Sequence, residues 1–293
     1  MKKEIKLTKK SFLGYILILV GLALLTSPLI LRSYHDISAS SAKKTFEKQE
    51  AEKSKDAIDE ENKKALAYNE IIKNSDMSVQ DPFTTDDYEN GYDMFTKTNT
   101  PFAYLSIPKL DKYLPLYLDA TKEHISRGVA QVAGTAIPVG GKGTRCAIAG
   151  HRGWWGDTMF LYVDELEQGD YIYIERANQT MRYVVSDKEV IGPYDWDKLA
   201  PREDMDMITL LTCSPFLPPR PDRLLVNAIR DESGPAEEFT LSDGSLKASQ
   251  NQDEKGDKLV KLSKIATLIG AILGSLGFLY SLRRFAKRIR VSL

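Results

Sequence analysis

The sequence predicts a mainly β protein, a closed barrel or sandwich of short strands set between two membrane-spanning helices. Three observations carry this expectation. From Pro101 to about Arg230, short apolar and β-branched runs alternate with turn signals and show no intervening helical periodicity. Two stretches, Ser11 to Leu31 and Ile265 to about Leu282, contain no charged residue. The segments joining these ends to the strand-rich block are polar and charged.

The first apolar stretch, SFLGYILILVGLALLTSPLIL, follows the basic segment MKKEIKLTKK at residues 1–10. A bilayer core about 30 Å thick needs about 20 apolar residues in a helix, so residues 11–31 suffice. The run exceeds the usual h-region of about 7–15 residues, and no A-x-A-like site ends it, so an uncleaved span is expected. The second span, residues 263–282, precedes a basic tail, 283–293, that carries Arg283, Arg284, Lys287, Arg288 and Arg290. Positive flanks stay cytoplasmic, which puts both termini inside and residues 32–262 outside. Lys258, Lys261 and Lys264 weaken that asymmetry without reversing it. Gly270, Gly274 and Gly277 offer small surfaces for packing against the other helix.

Residues 32–78 are highly charged, and from 37 onward they lack Pro and Gly. Ile58, Ala65, Tyr68 and Ile72 recur at helical spacing, which predicts one or two amphipathic helices. A charged stalk and a packed accessory element both fit. Residues 79–99 have loop composition. The strand block then reads FAYLSI, YLPLYL, RCAIAG, YIYIE, MRYVV, MITLLTC and RLLVNAI. Residues 233–262 are polar and aperiodic, as in a linker. The formal net charge of -1 gives no reason to expect nucleic-acid binding.

Two cysteines, Cys146 and Cys213, are too few for a disulfide framework in an exported domain. Cys146 lies inside its strand and reads as a small buried hydrophobe. Cys213 ends the apolar run MITLLTC, just before the proline-rich SPFLPPRPD, so its thiol is expected at a strand exit. Of the three histidines, His35 follows the first span, and His124, in TKEHISRG, reads as a solvated surface residue. His151 instead ends the run CAIAG and opens the loop HRGWWGD, a placement that presents a side chain from a rigid scaffold. Arg223 begins the next strand, and Arg220 lies in the preceding loop. The chemistry of these types is compatible. A thiolate attacks carbonyls, imidazole carries the leaving-group proton, and guanidinium binds an oxyanion.

At these residues the chain resembles the sortases. TLLTC (Thr209 to Cys213), DRLLV (Asp222 to Val226) and AGHRG (Ala149 to Gly153) are similar to the family's motifs around its Cys, Arg and His. TAIPVGG (Thr135 to Gly141) is similar to its loop before the His strand. The resemblance implies a closed eight-stranded β-barrel with Cys213 as nucleophile, His151 as acid/base and Arg223 as oxyanion stabiliser. Arg220 matches the motif less well. The C-terminal span and the tripeptide Asp81, Pro82 and Phe83 resemble the class C, pilus-assembling sortases, whose DPF-type lid covers the site. This implies a transpeptidase that cleaves LPxTG-like signals on pilin subunits and joins them through a Lys, with no metal or organic cofactor. SPF after Cys213 and the loop FLPPRPD depart from the usual pattern. A housekeeping sortase acting on peptidoglycan lacks the lid and second span. A papain-like peptidase places Cys before His, the reverse of this chain. A membrane-tethered scaffold is the non-enzymatic alternative, distinguished by a slowly reacting thiol.

Overall fold

In the strand block, side chains alternate between two faces, one burying an apolar core and the other partly covered by helices and turns. The computed structural model describes residues 9–75, 79–84, 99–153, 159–176, 179–233 and 254–292. Its strands are β1 (Ala103–Ile107), β2 (Lys112–Leu118), β3 (Val129–Gln131), β4 (Thr144–Ala149), β5 (Tyr171–Arg176), β6 (Gln179–Ile191), β7 (Asp206–Ser214) and β8 (Asp222–Arg230). They close into an eight-stranded barrel in the order β1-β2-β3-β4-β7-β8-β6-β5, with β5 returning to β1. The pairs β2–β3 and β4–β7 are parallel, and the others are antiparallel. The interior holds Leu105, Cys146, Ile148, Ile172, Ile208, Leu210 and Val226. Full burial of such a Leu or Ile contributes about 1.5–3 kcal/mol.

The β4–β7 pairing decides where the functional face lies. Because these neighbours run parallel, both reach the same rim at their C-terminal ends. β8 runs antiparallel to β7, so its first residues start at that rim. On the outer face of the three strands, Ala147, Ala149, Leu211 and Leu225 form a second apolar cluster. The helix α3 (Lys122–Arg127) adds Ile125, and the turn Trp196–Leu199 adds Leu199. Lower on this face, Arg145 donates to Thr209 Oγ1 at 2.8 Å and Asn227 Oδ1 at 2.6 Å. Its Nη1 also reaches the Ala200 carbonyl at 3.1 Å, fastening the covering turn.

His124 corrects the expectation of a solvated side chain. It is 2% exposed, stacked on Tyr117 with ring centroids 4.8 Å apart. Its ring nitrogens lie 2.8 Å from the Asp119 carbonyl and 3.1 Å from Asn99 Oδ1. The short helix connects the paired strands β2 and β3 and packs on their outer face, so local polarity does not report exposure here. Both cysteines are free thiols.

The helix α1 spans Lys9–Glu52 and α2 spans Lys55–Lys73. Ser54 caps α2 by accepting from the Ala57 N–H at 3.3 Å. Its apolar stripe packs Ala65 and Tyr68 against Leu118 and Ile137, and near the end of α1 Phe46 meets Tyr104 at 4.7 Å. Of the two alternatives for this region, the packed element is observed. Asn69 holds it by accepting from the Ile137 N–H at 2.7 Å and donating to its carbonyl at 3.0 Å. Asn69→Ala leaves the Ile137 N–H unpaired in a buried site, while its carbonyl keeps the Val139 N–H at 2.8 Å, and is expected to cost about 1–3 kcal/mol. The urea midpoint of unfolding measures it, and an unchanged midpoint would contradict the clamp.

The apolar ends form a separate unit. Ser11–Leu31 in α1 and Ile265–Ile289 in α4 (Glu254–Ser292) are each long and apolar enough to cross a membrane. They lie antiparallel, with Phe285 5.4 Å from Phe12 and 5.6 Å from Tyr15. Gly274 sits against Thr26, and Gly270 sits against Leu29, whereas Gly277 faces open space. α4 takes in residues 254–262 of the expected linker and most of the expected tail. Lys, Leu and Glu in these segments favour helix strongly, and Gly256 alone does not break it.

Candidate active site

The motif AGHRG sits where β4 leaves the barrel. Ladder pairing continues past Ala149, where the Gly150 N–H donates to the Leu211 carbonyl at 3.1 Å. Thr212 Oγ1 donates to the Gly150 carbonyl at 2.8 Å. Extended by two residues, the Ala149–Leu211 register brings His151 alongside Cys213. A side chain at Gly150 would collide with the Phe160 ring at 2.7 Å and Val129 Cγ1 at 2.9 Å, so this strand exit needs glycine. Cys213 lies directly opposite Arg223 in the β7–β8 ladder. Strand parity sets all three on the face of Ala149, Leu211 and Leu225.

Asp81, Pro82 and Phe83 lie over this rim. Asp81 forms an ion pair with Arg223 Nη2, and Arg223 Nε donates to its other oxygen at 3.4 Å. Asp81 Oδ1 also accepts from the Phe83 N–H at 3.0 Å, which orients the ring. That ring is 5.8 Å from the His151 ring and 5.4 Å from the Arg223 guanidinium carbon. Arg223 Nη1 is held from behind by the Pro221 carbonyl at 3.0 Å and the Asp222 carbonyl at 2.9 Å. Its Nε/Nη2 edge therefore faces the carboxylate. Residues 85–98 of the expected loop lie outside the described residues.

Burial pushes the Cys213 thiol above its ordinary value, and the Asp81 carboxylate pushes it in the same direction. Arg223, Arg220 and Arg152 oppose them by favouring the thiolate. Burial also draws His151 below the ordinary imidazole value. With the thiol raised and the imidazole lowered, both are mainly neutral near pH 7 while the rim is covered. Relief of burial moves both toward the charged pair. Among the described residues, no group of three or more His, Cys, Asp or Glu is placed to hold a metal ion.

Arg152 and Arg220 reach the same rim. Arg152 is buried, pairs with Asp164 at 2.8 Å and donates to the Cys213 carbonyl at 3.2 Å. The sequence offered little sign of this, since one Arg in a Gly-rich loop has no informative spacing. Arg220 points its guanidinium at backbone carbonyls of Phe216 and Arg152 rather than at the thiol's attack face.

A family model described as a sortase domain matches residues 105–231. The chain is 23% identical over 133 residues to sortase D of Bacillus subtilis (strain 168), and this match covers 45% of the chain and 64% of the relative. It therefore spans less than two thirds of that curated relative. Among solved structures, sortase C-3 of Streptococcus pneumoniae is 34% identical with a TM-score of 0.61, over 66% of this chain and 90% of that one. Sortase C1 of GBS pilus island 1 is 27% identical with a TM-score of 0.61, over 66% of this chain and 98% of that one. The barrel order, the three motifs at one rim and a third of the residues shared across nearly the whole of a solved relative lead to one assignment: the chain belongs to the sortase family.

Proposed function

We propose that the protein is a membrane-anchored cysteine transpeptidase of the pilus-assembling type. In this reading Cys213 is the nucleophile, His151 the acid/base and Arg223 the oxyanion stabiliser, while Asp81, Pro82 and Phe83 form a lid. The observation that carries it is the rim itself. Cys213 and Arg223 face each other across β7–β8, β4 delivers His151 beside them, and Asp81 and Phe83 lie on top. Support for the pilus assignment comes from the similar sortase C1, named for a pilus island, and from the segment over the rim.

The substrate is an LPxTG-like signal on a pilin. The Cys213 thiolate attacks the Thr carbonyl carbon, and the charge developing on its oxygen is met by the Nε/Nη2 edge of Arg223. The C–N bond to Gly breaks, and the His151 imidazolium gives its proton to the leaving amine. A neutral Lys amine of a second pilin then attacks the thioester, passing a proton to His151 as the C–S bond breaks. An isopeptide bond forms, and the thiolate returns. In the covered state Asp81 occupies the Arg223 edge that the oxyanion needs, so a lid that lifts frees both thiol and guanidinium. The two apolar helices anchor the chain, with both termini cytoplasmic and the barrel outside.

The test is capture of the acyl-enzyme. Incubated with an LPxTG peptide, the wild-type protein is expected to gain a hydroxylamine-sensitive acyl mass on the Cys213 peptide. With a pilin carrying an acceptor Lys, it is expected to form a polymer ladder. An acyl mass that persists in Cys213→Ala would falsify the assignment.

A further inference from the structure

We propose that Arg152 and Arg220 form a two-way latch that holds the His151 loop and the Cys213 loop in catalytic register. Both act as positioning residues, and the inference rests on the reading of Cys213 and His151 given above. Arg152 follows His151 directly in the chain, and its guanidinium reaches across to the Cys213 carbonyl at 3.2 Å. Arg220, in the loop after Cys213, reaches back to the Arg152 carbonyl at 3.0 Å. Each loop thus grips the other's backbone at the residue next to, or at, the reacting side chain.

The remaining contacts fit a latch. Arg152 is 4% exposed, with Asp164 at 2.8 Å and the Phe216 ring 5.3 Å away. Arg220 closes its own loop by donating to the Phe216 carbonyl from Nε at 3.1 Å and Nη2 at 2.7 Å. Phe216 therefore sits between the two arginines, its ring near one and its carbonyl bound by the other. A guanidinium suits this because its planar fork spans separate acceptors at fixed angles, which an ammonium cannot do. Burying a cation for stability alone is a poor solution, since an apolar residue of similar volume does as well or better.

Charge distinguishes the two arginines. Arg223 is matched by Asp81 and Arg152 by Asp164, whereas Arg220 has no ion pair with a carboxylate among the described residues. Its positive charge thus favours the Cys213 thiolate without a carboxylate partner of its own while Asp81 holds Arg223. Arg220 accordingly serves twice, as a bolt and as a standing cation.

The experiment uses the full-length protein in detergent and compares Gln and Lys at both positions. It reads the acylation rate with an LPxTG peptide and the pH midpoint of iodoacetamide alkylation at Cys213. Arg152→Gln and Arg220→Gln are each expected to lower kcat for acylation by about 10–100-fold with KM within about twofold, as small misplacements of reacting groups do. Arg220→Gln also moves the alkylation midpoint to higher pH. Arg220→Lys returns the midpoint but not kcat, because the charge is restored without the fork. Should Arg152→Gln not fold, Asp164→Asn releases the guanidinium from a half-exposed surface carboxylate and must lower kcat in the same sense. Wild-type kcat in the Gln variants or in Asp164→Asn overturns the latch, as does full recovery by Lys at both positions. Cys213→Ala separates the levels: acylation surviving there overturns the underlying reading, whereas its loss beside normal Gln variants overturns the latch alone.

Discussion

Under the proposed mechanism, Arg223→Ala is expected to form the thioester about 10²–10³-fold more slowly than wild type at saturating peptide, the usual loss when one oxyanion donor is removed. Arg223 is 2% exposed, and its Nη1 is committed to the Pro221 and Asp222 carbonyls at 3.0 and 2.9 Å. The side chain therefore cannot swing, and its Nε/Nη2 edge stays where the Asp81 carboxylate now sits. In the proposed mechanism a carboxylate oxygen in that position stands in for the oxyanion. Arg223→Lys recovers little of the rate, because a point charge cannot offer the two parallel N–H groups. The loss has two candidate origins, transition-state binding and the lid's anchor, and a second background separates them. In Asp81→Ala the anchor is already gone. If Arg223→Ala still costs about 10²-fold there, the guanidinium acts in the chemistry. A ratio near one in that background would confine Arg223 to holding Asp81.

The barrel was legible because most of its strands are short apolar runs set between turn signals, although β6 reaches 13 residues and β2 contains no β-branched residue. The register was not legible. That β4 pairs in parallel with β7, although β5 and β6 intervene in sequence, is a long-range choice no local pattern reports. Yet that choice sets His151 beside Cys213. The placement of each at a strand exit could be read from the apolar runs CAIAG and MITLLTC, and their adjacency needed the fold. α4 extends beyond both expected boundaries for the opposite reason. Its flanks are charged enough to look like linker and tail, while their residue types are good helix formers.

His124 and Arg152 mark a further limit, since both are polar residues in polar contexts that the structure buries. His124 is covered by Tyr117 of β2 and by Asn99, and Arg152 by Phe216 and Asp164. All but Tyr117 and His124 are separated by more than ten residues, so burial arises from tertiary pairing that composition does not encode. The same holds for α2, whose amphipathic stripe was visible although its docking point was not. Asn69 decides that point by bonding both the N–H and the carbonyl of Ile137, and an Asn on a charged helix gives no outward sign of this role.

Removal of Asp81 should make Cys213 react about 10-fold or more faster with iodoacetamide at neutral pH, since below its pKa each unit of downward shift raises the thiolate fraction tenfold. Three causes act in one direction. Burial, the largest influence raising the thiol, falls as water enters the rim. The carboxylate, which also raises it, is gone, and Arg223 is left as an unmatched cation that favours thiolate. The midpoint of the alkylation profile therefore moves to lower pH. Phe83→Ala relieves burial but keeps the Asp81–Arg223 pair, so its midpoint moves the same way by less. Stability gives an independent check. Removing one partner of a buried pair costs about 3–5 kcal/mol when the other charge stays buried. Where the covering segment acts as the proposed lid, it lifts and lets water reach Arg223, so the unfolding midpoint of Asp81→Ala should fall by much less than that cost implies. Alkylation rates equal to wild type in both variants would mean that Asp81 and Phe83 do not guard the thiol. A full buried-charge penalty with unchanged reactivity would mean instead that they are a fixed part of the wall.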